Sequence, residues 1–299
     1  MSTPPLTVLI PTHGRPALLK RTLDSVVQCE LPEFYKELVV IENGSRAGAE
    51  ELVTPLPERL NPRYMHRKRG NKSYALNEAL GTIEDGLVVF FDDDVRVEPQ
   101  VLVAYAEAAE QHGAGYFFGG PVEIDYEKPL PPLLSSFYPQ SVRGYKAAPD
   151  QDLDFFLGFN WAAFRTNIQS LGGFDPRFGP GSPVNATGQE TEMQARMRRQ
   201  GLEPINVQKA KVYHYFPSEY ANLNWLLHRY IRGGTRAGLL SEALPSEFFA
   251  KIVFQTMQSI GVLGKGALKL DLHKIVFFIL NTAERVGVVK GYLQQKIRF

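Results

Sequence analysis

Short apolar runs alternate with helical patterns through the first 120 residues of the chain. The runs occupy residues 7–10, 38–41, 87–91 and 116–118. Their apolar character predicts buried strands. Between them, apolar residues recur every three to four positions after Pro16, after Ser73 and over 99–111, which predicts helices. Strands that alternate with helices favour an α/β domain with a mostly parallel sheet.

The second half of the chain has a different pattern. Residues 125–155 are weakly periodic and rich in Pro, Ser, Tyr and Asp, which indicates a long lid or binding loop. A helix from about 190 to 200 is expected to end at Gly201, and a last strand is expected over 205–215. Residues 248–263 and 275–293 each place apolar residues on one helical face, so the chain ends in a helical extension.

Composition narrows the class of protein. The 299 residues include 33 basic and 32 acidic side chains, and a net charge of +1 argues against a general nucleic-acid binder. The single cysteine, Cys29, excludes a disulfide framework and a cysteine-based zinc site, and it suits a reducing compartment. Neither a signal peptide nor a run of 18 apolar residues is visible. We therefore expect a cytoplasmic protein.

The strongest chemical signal is the acidic triplet Asp92-Asp93-Asp94, directly after the apolar run 87–91. Ligands of open α/β sheets bind beyond the carboxyl ends of the strands. Adjacent carboxylates repel one another unless a cation neutralises them, and Mg²⁺ or Mn²⁺ bridges such oxygens to substrate phosphates. The triplet therefore favours metal–diphosphate chemistry over a solvated acidic turn.

Six short motifs occur in a fixed order over residues 5–215. They are Ile10-Pro11-Thr12, Glu42-Asn43-Gly44-Ser45, Gly70 with Tyr74-Ala75-Leu76-Asn77, Asp92-x-Asp94, Gly172-Gly173-Phe174-Asp175, and Gly188-Gln189-Glu190-Thr191-Glu192. The ordered set resembles the family 2 glycosyltransferases of the GT-A fold, whose DxD motif the third strand would carry. The resemblance implies a Rossmann-like, mostly parallel sheet flanked by helices.

The resemblance also implies an activity. Such an enzyme transfers a sugar, with inversion, from a nucleoside diphosphate donor to a hydroxyl acceptor, using Mn²⁺ or Mg²⁺ on the diphosphate. Family frequency favours a UDP-sugar. The acceptor, whether a saccharide, a lipid-linked molecule or a small molecule, has no recognisable sequence code, and no nucleic acid is expected as a partner.

The resemblance assigns roles in donor and metal binding. The donor residues are Pro11, Thr12, Glu42, Asn43, Lys72, Asn77, Asp92 and Asp93. Asp92 would approach the ribose and Glu42 the nucleobase, where the family more often has Asp. Asp94 would bind the metal, and His214 falls where a late ligand completes the shell; a hydrogen-bonded packing role for His214 stays open.

The general base and the acceptor site are assigned in the same way. Glu190 aligns with the catalytic Asp of the family, but its usual Glu-Asp pair is Gln189-Glu190 here, so Glu192 stays an alternative base. An acidic first turn that complements the helix dipole is the structural alternative. Acceptor contacts are expected from three residues that could equally serve core packing or turns: Asn160, Trp161 and Asp175.

These assignments predict a catalytic domain over 1–220, with a nucleotide-binding part at about 1–120 and an acceptor-binding part at about 121–220. The helical extension over 221–299 is predicted to lie outside this catalytic domain. Its stretch 246–299 has eight basic against three acidic residues. Basic amphipathic helices can lie on an anionic membrane, so peripheral contact with the inner face of the membrane and a homo-oligomer interface both stay open beside plain docking.

Three other functions fit parts of the sequence. An aspartyl phosphatase also carries Asp-x-Asp, but normally after the first strand and followed by Gly-Thr or Val-Thr, whereas Val95-Arg96 follows here. A sugar nucleotidyltransferase would need a glycine-rich phosphate loop after the first strand. A nucleotide-sugar-binding protein with a decayed site stays open because of the change at Gln189-Glu190.

Overall fold

A computed structural model describes residues 4–145, 155–267 and 271–297, with the side chains of 262–267 and 297 left out. The chain divides into two compact units. Unit 1 comprises Met1–Asp125, Gln140–Gly181 and Gln189–Tyr215. Unit 2 comprises Tyr126–Pro139, Ser182–Gly188 and Phe216–Phe299. The last segment of unit 2 begins close to the predicted boundary at residue 220, and the other two segments of unit 2 come from within 1–220.

The described elements are as follows. The strands are β1 Leu6–Thr12, β2 Tyr35–Asn43, β3 Pro62–Arg67, β4 Leu87–Phe91, β5 Val95–Val97, β6 Tyr116–Gly119, β7 Val122–Tyr126, β8 Asn160–Phe164, β9 Glu203–Asn206 and β10 Val212–Phe216. The α-helices are α1 Pro16–Val26, α2 Ala49–Val53, α3 Lys72–Leu80, α4 Val101–His112, α5 Gln140–Arg143, α6 Arg165–Ser170, α7 Gln189–Arg199, α8 Leu223–Leu239, α9 Pro245–Ala267 and α10 Leu272–Ile297. Short 3₁₀ turns occur at Glu58–Leu60, Ser135–Phe137 and Ser218–Tyr220.

The central sheet of unit 1 has seven strands in the order β3-β2-β1-β4-β8-β6-β9. Every neighbouring pair is parallel except the two that involve β8. Strands β1 and β4 are buried along their whole length, because helices cover both faces of the sheet. This arrangement confirms the predicted fold class, a mostly parallel α/β sheet flanked by helices and followed by C-terminal helices.

The sheet brings separate motifs to one edge. Parallel strands β1, β2 and β4 end at the same side, and Thr12 at the end of β1 pairs with Glu42 near the end of β2. Asp92 follows β4 directly. The motifs that the sequence separates by 30 to 80 positions therefore lie together because their strands are parallel and adjacent.

The structure differs from the predicted strands in the last part of unit 1. The single strand expected over 205–215 is two strands, since a turn closed by Ala210 N donating to Val207 O at 2.9 Å separates them. Strand β9 joins the central sheet, and β10 joins a second sheet of order β5-β10-β7. The second sheet pairs His214 with Val95, directly after the acidic triplet.

In unit 2, helices α8 and α10 approach each other closely through glycines. A Cβ at Gly238 would lie 2.1 Å from the Val288 carbonyl oxygen, and a Cβ at Gly291 would lie 2.1 Å from the Thr235 oxygen. Gly234 and Gly287 are equally tight against the facing backbone. The four glycines form a small-x-x-x-small pattern on each helix, which lets the two backbones come into contact.

The glycine contact gives a prediction for stability. Gly238→Ala is expected to lower the free energy of unfolding by about 1–3 kcal/mol, because the new methyl group overlaps backbone that has to move. Gly233→Ala on the same helix is the matched control: no atom lies within 4 Å of its Cβ position. It should be neutral or stabilise by up to about 1 kcal/mol. Urea unfolding followed by circular dichroism measures both, and equal effects would contradict the glycine packing.

Helices α9 and α10 include the two helical segments expected near the C-terminus. Among the helices in the described part of the chain, none is both long enough and apolar enough to cross a bilayer. Peripheral membrane contact and a homo-oligomer interface through these helices stay predictions.

Candidate active site

A cavity of about 250 Å³ lies in unit 1, where the carboxyl ends of β1, β2 and β4 meet. Its lining consists of Pro11, Thr12, His13, Arg15, Asn43, Gly70, Lys72, Asp92, Pro180 and Gly181. Five of the eight residues predicted to bind the donor are among them: Pro11, Thr12, Asn43, Lys72 and Asp92. A ligand of α/β sheets is expected at such a position.

The middle carboxylate of the triplet faces inward and is held by neighbours from the first strand and loop. Asp93 is fully buried, and Thr12 Oγ1 donates a hydrogen bond to its Oδ2 at 2.6 Å. Arg15 forms an ion pair with Asp93 and donates to Asp94 Oδ2 at 2.8 Å. Burial raises the pKa of Asp93, although Arg15 acts in the opposite direction. Arg15 thus ties the loop after β1 to the triplet.

Asp94 and His214 face each other without a close hydrogen bond. The distance from His214 Nε2 to Asp94 Oδ1 is 3.6 Å, and this Oδ1 is buried without a hydrogen-bond partner. His214 Nδ1 lies 2.9 Å from the Ser141 carbonyl oxygen, and the ring stacks on Phe159 at 4.3 Å between centroids. Since Nδ1 donates to a carbonyl, Nε2 presents a lone pair towards Asp94 Oδ1 when the ring is neutral and an N–H group when it is protonated.

This pair fits part of a metal shell. An imidazole nitrogen and an unpartnered carboxylate oxygen at this separation can both contact one divalent cation. Within the described ranges, no group of three or more His, Cys, Asp or Glu side chains is arranged to hold a metal. The protein therefore offers two ligand atoms here, and phosphate oxygens and water would have to supply the rest, as is usual for Mg²⁺ sites.

The electrostatics of the pair favour opposite charges. Burial opposes ionisation of Asp94, but His214, Arg15 and Lys72 together hold its pKa well below the usual range. Burial would lower the pKa of His214, but the neighbouring Asp94 more than offsets this effect and raises it.

Lys72 joins the triplet to helix α7. Its Nζ donates to Asp92 Oδ1 at 2.6 Å and to Glu190 Oε1 at 2.7 Å. Burial acts to lower the pKa of Lys72, yet the two carboxylates more than compensate, so that the pKa is raised. Burial raises the pKa of Asp92 to about 6 despite the attraction of Lys72. The Lys72 ammonium group thus bridges Asp92, a predicted donor-binding residue, and Glu190, the predicted base.

The local sequence explains the position of Lys72. Helix α3 begins before Ser73, the residue after which the sequence predicts a helix, because Asn71 caps it: the Asn71 side chain accepts a hydrogen bond from Tyr74 N at 3.0 Å. The Asn71 amide also donates to the Pro176 carbonyl oxygen at 3.1 Å, and Lys72 N donates to the Pro180 oxygen at 3.0 Å. The 176–180 loop therefore fixes the start of α3 and with it the Lys72 side chain.

The two candidate bases have different surroundings. Glu190 is 8% exposed and takes hydrogen bonds from Lys72 and from Gln189 Nε2, the latter at 2.5 Å. Glu192 pairs with Arg196 at 2.8 Å, and Arg196 also donates to the Gly173 carbonyl oxygen at 2.7 Å. Glu192 therefore connects α7 to the Gly172 loop, whereas Glu190 lies beside Asp92.

Gly158 is a residue that sequence analysis missed. A Cβ at this position would lie 2.2 Å from Glu190 Cδ. The close approach needs the absence of a side chain, and one glycine in a loop carries no sequence signal for it. Arg15 was missed as well, because its contact with the triplet depends on the pairing of β1 with β4.

This contact leads to a prediction for Gly158→Ala. The added methyl group must displace the Glu190 carboxylate, so we expect turnover to fall by about 10²-fold, since small misplacements of catalytic groups have effects of this size. Gly172→Ala is the control within unit 1, where no atom lies within 4 Å of the Cβ position, although its positive φ adds strain. Steady-state kinetics of both variants test the prediction; unchanged turnover of Gly158→Ala would contradict it.

Two of the three predicted acceptor residues lie in the core. Asn160 is fully buried, where its Oδ1 accepts from Tyr105 OH at 2.7 Å and its Nδ2 donates to the Ala210 oxygen at 2.8 Å. Trp161 is fully buried and stacks on Phe90 at 4.6 Å between centroids. Both belong to β8, a strand that the sequence analysis did not predict, and their acceptor roles stay predictions.

Three further predicted residues hold loops in place. Asn77 Nδ2 donates to the Phe174 carbonyl oxygen at 2.8 Å, and Asn77 Oδ1 accepts from Phe174 N at 2.7 Å. Asp175 pairs with Arg177 at 2.6 Å. Glu42 is buried, and its two carboxylate oxygens accept from Ala47 N at 2.7 Å and from Tyr64 OH at 2.6 Å. A nucleobase contact by Glu42 stays a prediction.

Comparison with known proteins agrees with this geometry. Residues 7–172 match the description of glycosyl transferase family 2. The chain is 32% identical, over 237 residues, to validoxylamine A glucosyltransferase of Streptomyces hygroscopicus subsp. limoneus. That match covers 69% of this chain and 50% of the relative, so the chain spans about half the length of the curated relative it matches.

Three solved structures show the same fold as this chain. The mannosyltransferase PcManGT from Pyrobaculum calidifontis, in complex with GDP-Man and Mn²⁺, has a TM-score of 0.62 at 18% identity, over 99% of this chain and 89% of its own. GalNAc-T7 with UDP, GalNAc and Mn²⁺ has a TM-score of 0.53 at 15% identity, over 82% and 52%. S. aureus TarS has a TM-score of 0.52 at 12% identity, over 81% and 41%.

The fold and the family motifs together define a glycosyltransferase of the GT-A type, as the sequence predicted. The chain belongs to glycosyl transferase family 2.

Proposed function

We propose that the protein transfers a sugar, with inversion, from a nucleoside diphosphate to a hydroxyl acceptor, and that the donor is a UDP-sugar. The observation that carries the proposal is the Lys72 bridge. Lys72 Nζ lies 2.6 Å from Oδ1 of Asp92, which lines the donor cavity, and 2.7 Å from Oε1 of Glu190, the proposed base.

The donor occupies the cavity of about 250 Å³ at the carboxyl ends of the strands. Pro11, Thr12 and Asn43 line its wall, and Asp92 binds the ribose. Lys72 and Arg15 add positive charge beside a site that has to accept a diphosphate. Two of the comparable solved structures contain a nucleotide or nucleotide sugar, GDP-Man in one and UDP in the other, which supports this class of donor.

Asp94 and His214 are the proposed metal ligands. The unpartnered Asp94 Oδ1, 3.6 Å from His214 Nε2, supports the assignment, and both solved structures that contain a nucleotide also contain Mn²⁺. A bound divalent cation, Mn²⁺ or Mg²⁺, supplies the charge that neutralises the leaving diphosphate.

Glu190 is the proposed general base. An inverting transfer needs a carboxylate that takes the proton of the acceptor hydroxyl as the hydroxyl attacks the anomeric carbon. Glu190 is nearly buried and held by Lys72 and Gln189, so its position is fixed before the acceptor arrives. Lys72 is a positioning residue for this carboxylate.

Nucleotide binding tests the donor assignment. A ligand that binds only the folded state at 100 times its Kd adds about 2.7 kcal/mol to stability, which raises the thermal midpoint. We expect UDP with Mn²⁺ to raise the midpoint, and GDP, dTDP and CDP to raise it less. The control is each nucleotide with EDTA. Equal shifts for all four bases would reject the UDP assignment, and the absence of any shift in the folded protein would reject the donor site.

The anomeric configuration of the product tests inversion. Proton NMR of the first sugar released or transferred from an α-linked UDP-sugar should show the β-anomer. An α-anomer before mutarotation would contradict the proposed single displacement.

A further inference from the structure

A second cavity lies within unit 2, and its described lining shares no residue with the candidate active site. It has a volume of about 540 Å³, which is within the range of small-molecule pockets. Helices α9 and α10 provide most of its lining, and α8 with the segment after it provides Ala237, Ser241 and Ala243. Tight glycine packing holds α8 against α10, so the space lies where α9 is packed less closely.

The cavity contains a cation with an unused donor. Arg285 on α10 donates through Nη2 to Ser259 Oγ on α9 at 2.5 Å. Its Nη1 is buried and has no hydrogen-bond partner, and within the described residues no carboxylate pairs with the guanidinium. A buried guanidinium nitrogen without an acceptor is costly, which favours a ligand that brings an anionic oxygen. Lys251 adds a second positive charge to the lining, and Glu284 adds one negative charge.

The lining is of mixed polarity: of its fourteen described residues six are apolar, three are charged, and five are uncharged polar residues, namely Ser241, Gln255, Gln258, Ser259 and Asn281. Phe248, Ile252, Phe277 and Val288 contribute side chains to the cavity. Phe248 is 4% exposed and stacks on Tyr292, so this wall is anchored to α10. These four side chains offer an apolar surface to a hydrocarbon chain, and Arg285 offers a cation to an anionic head, so the cavity matches a molecule that carries both.

We propose that the cavity between α9 and α10 binds an anionic amphiphile, a hydrocarbon chain that carries a phosphate or carboxylate, and that the Arg285 guanidinium binds its head. All of its described lining residues belong to unit 2, whereas the candidate active site belongs to unit 1. Phosphate-bearing and carboxylate-bearing chains share the chemistry that Arg285 recognises.

Calorimetric titration of the full chain with monomeric dodecyl phosphate and with laurate tests the proposal. We expect saturable binding of one molecule per chain for at least one of the two, and the tighter one identifies the head group. Arg285→Gln should weaken binding by about tenfold or more, as expected for loss of a charge-assisted hydrogen bond. The matched control is Lys290→Gln, which removes an exposed positive charge from the same helix outside the lining, and it should bind like the wild type.

Two further variants keep the test decisive. Ala243→Trp narrows the cavity without removing Arg285 and should also abolish binding, which protects the conclusion if Arg285→Gln fails to fold. Met257→Ser removes an exposed apolar side chain from the outer face of α9, where Met257 is 67% exposed, and should leave binding unchanged. Three results would overturn the proposal. Binding could survive in both Arg285→Gln and Ala243→Trp, it could be lost in Met257→Ser, or neither amphiphile could bind saturably. Binding of inorganic phosphate as tightly as dodecyl phosphate would also overturn it.

Discussion

Glu190→Gln is expected to reduce turnover by about 10³-fold while donor binding changes little, because loss of a general base typically has an effect of 10²–10⁴-fold. The amide is nearly isosteric with the carboxylate, so the contact with Gln189 can persist. What the variant lacks is an atom that can take the acceptor proton. The rate of UDP release at saturating UDP-sugar measures the loss, and titration with UDP and Mn²⁺ measures donor binding.

Glu192→Gln is the matched control for this experiment. It makes the same chemical change two residues further along α7, but Glu192 pairs with Arg196 at 2.8 Å instead of Lys72. We expect its turnover to remain within about tenfold of the wild type, a loss well below that of a general base. The free energy of unfolding should fall by about 1–3 kcal/mol, because a partly buried charged hydrogen bond is weakened. If Glu192→Gln loses turnover and Glu190→Gln retains it, Glu192 is the base.

Asp94→Asn is expected to remove the effect of Mn²⁺ on nucleotide binding. The carboxylate faces His214 through an oxygen that has no other partner, and the neutral amide is a poor ligand for a hard cation. Metal affinity should fall by about 100-fold or more, since changes in the residues that merely support a metal ligand already weaken binding by 10–100-fold. Calorimetric titration with UDP in Mn²⁺ and in EDTA should give the same Kd for the variant and different values for the wild type.

Asp93→Asn separates this effect from the general loss of negative charge in the triplet. Asp93 is buried, and its two carboxylate oxygens are already bound, Oδ2 by Thr12 at 2.6 Å and Oδ1 by Arg15. We expect this variant to be less stable but to retain the difference between Mn²⁺ and EDTA. Should Asp93→Asn lose the Mn²⁺ effect while Asp94→Asn retains it, the metal ligand is Asp93.

The order of the motifs along the sequence predicts some residues of the candidate site but not others. Pro11, Thr12, Asn43 and Asp92 follow apolar strands, and their place at one cavity follows from the parallel sheet that the strand–helix alternation predicts. Arg15 and Gly158 have no such signal. The role of Arg15 depends on which strand lies beside β1, and that of Gly158 on a loop that meets α7.

Asn160 and Trp161, in contrast to Arg15 and Gly158, have a sequence signal for a site role but are buried in the structure. The resemblance predicts acceptor contacts for both residues, with core packing as the alternative for Trp161; the structure buries both side chains in β8, and their acceptor roles stay predictions. Asn160 donates to the carbonyl oxygens of Pro121 and Ala210, which lie in connections between strands. An Asn with this role and an Asn that binds a sugar have the same sequence pattern, because they differ in their partners and not in the residue. The sequence pattern of one short strand between two irregular segments does not predict that these two side chains are buried.

The sequence by itself determined the fold class, the family and the edge of the sheet at which the candidate active site lies. These properties follow from hydrophobic periodicity and from motifs placed at strand ends, which are local in the chain. Only the tertiary structure decided that Lys72 joins Asp92 to Glu190, that Asp94 faces His214, and that glycines bring α8 and α10 into contact. Each of these contacts joins residues far apart in sequence, and chain packing, rather than local preference, sets the distance between them.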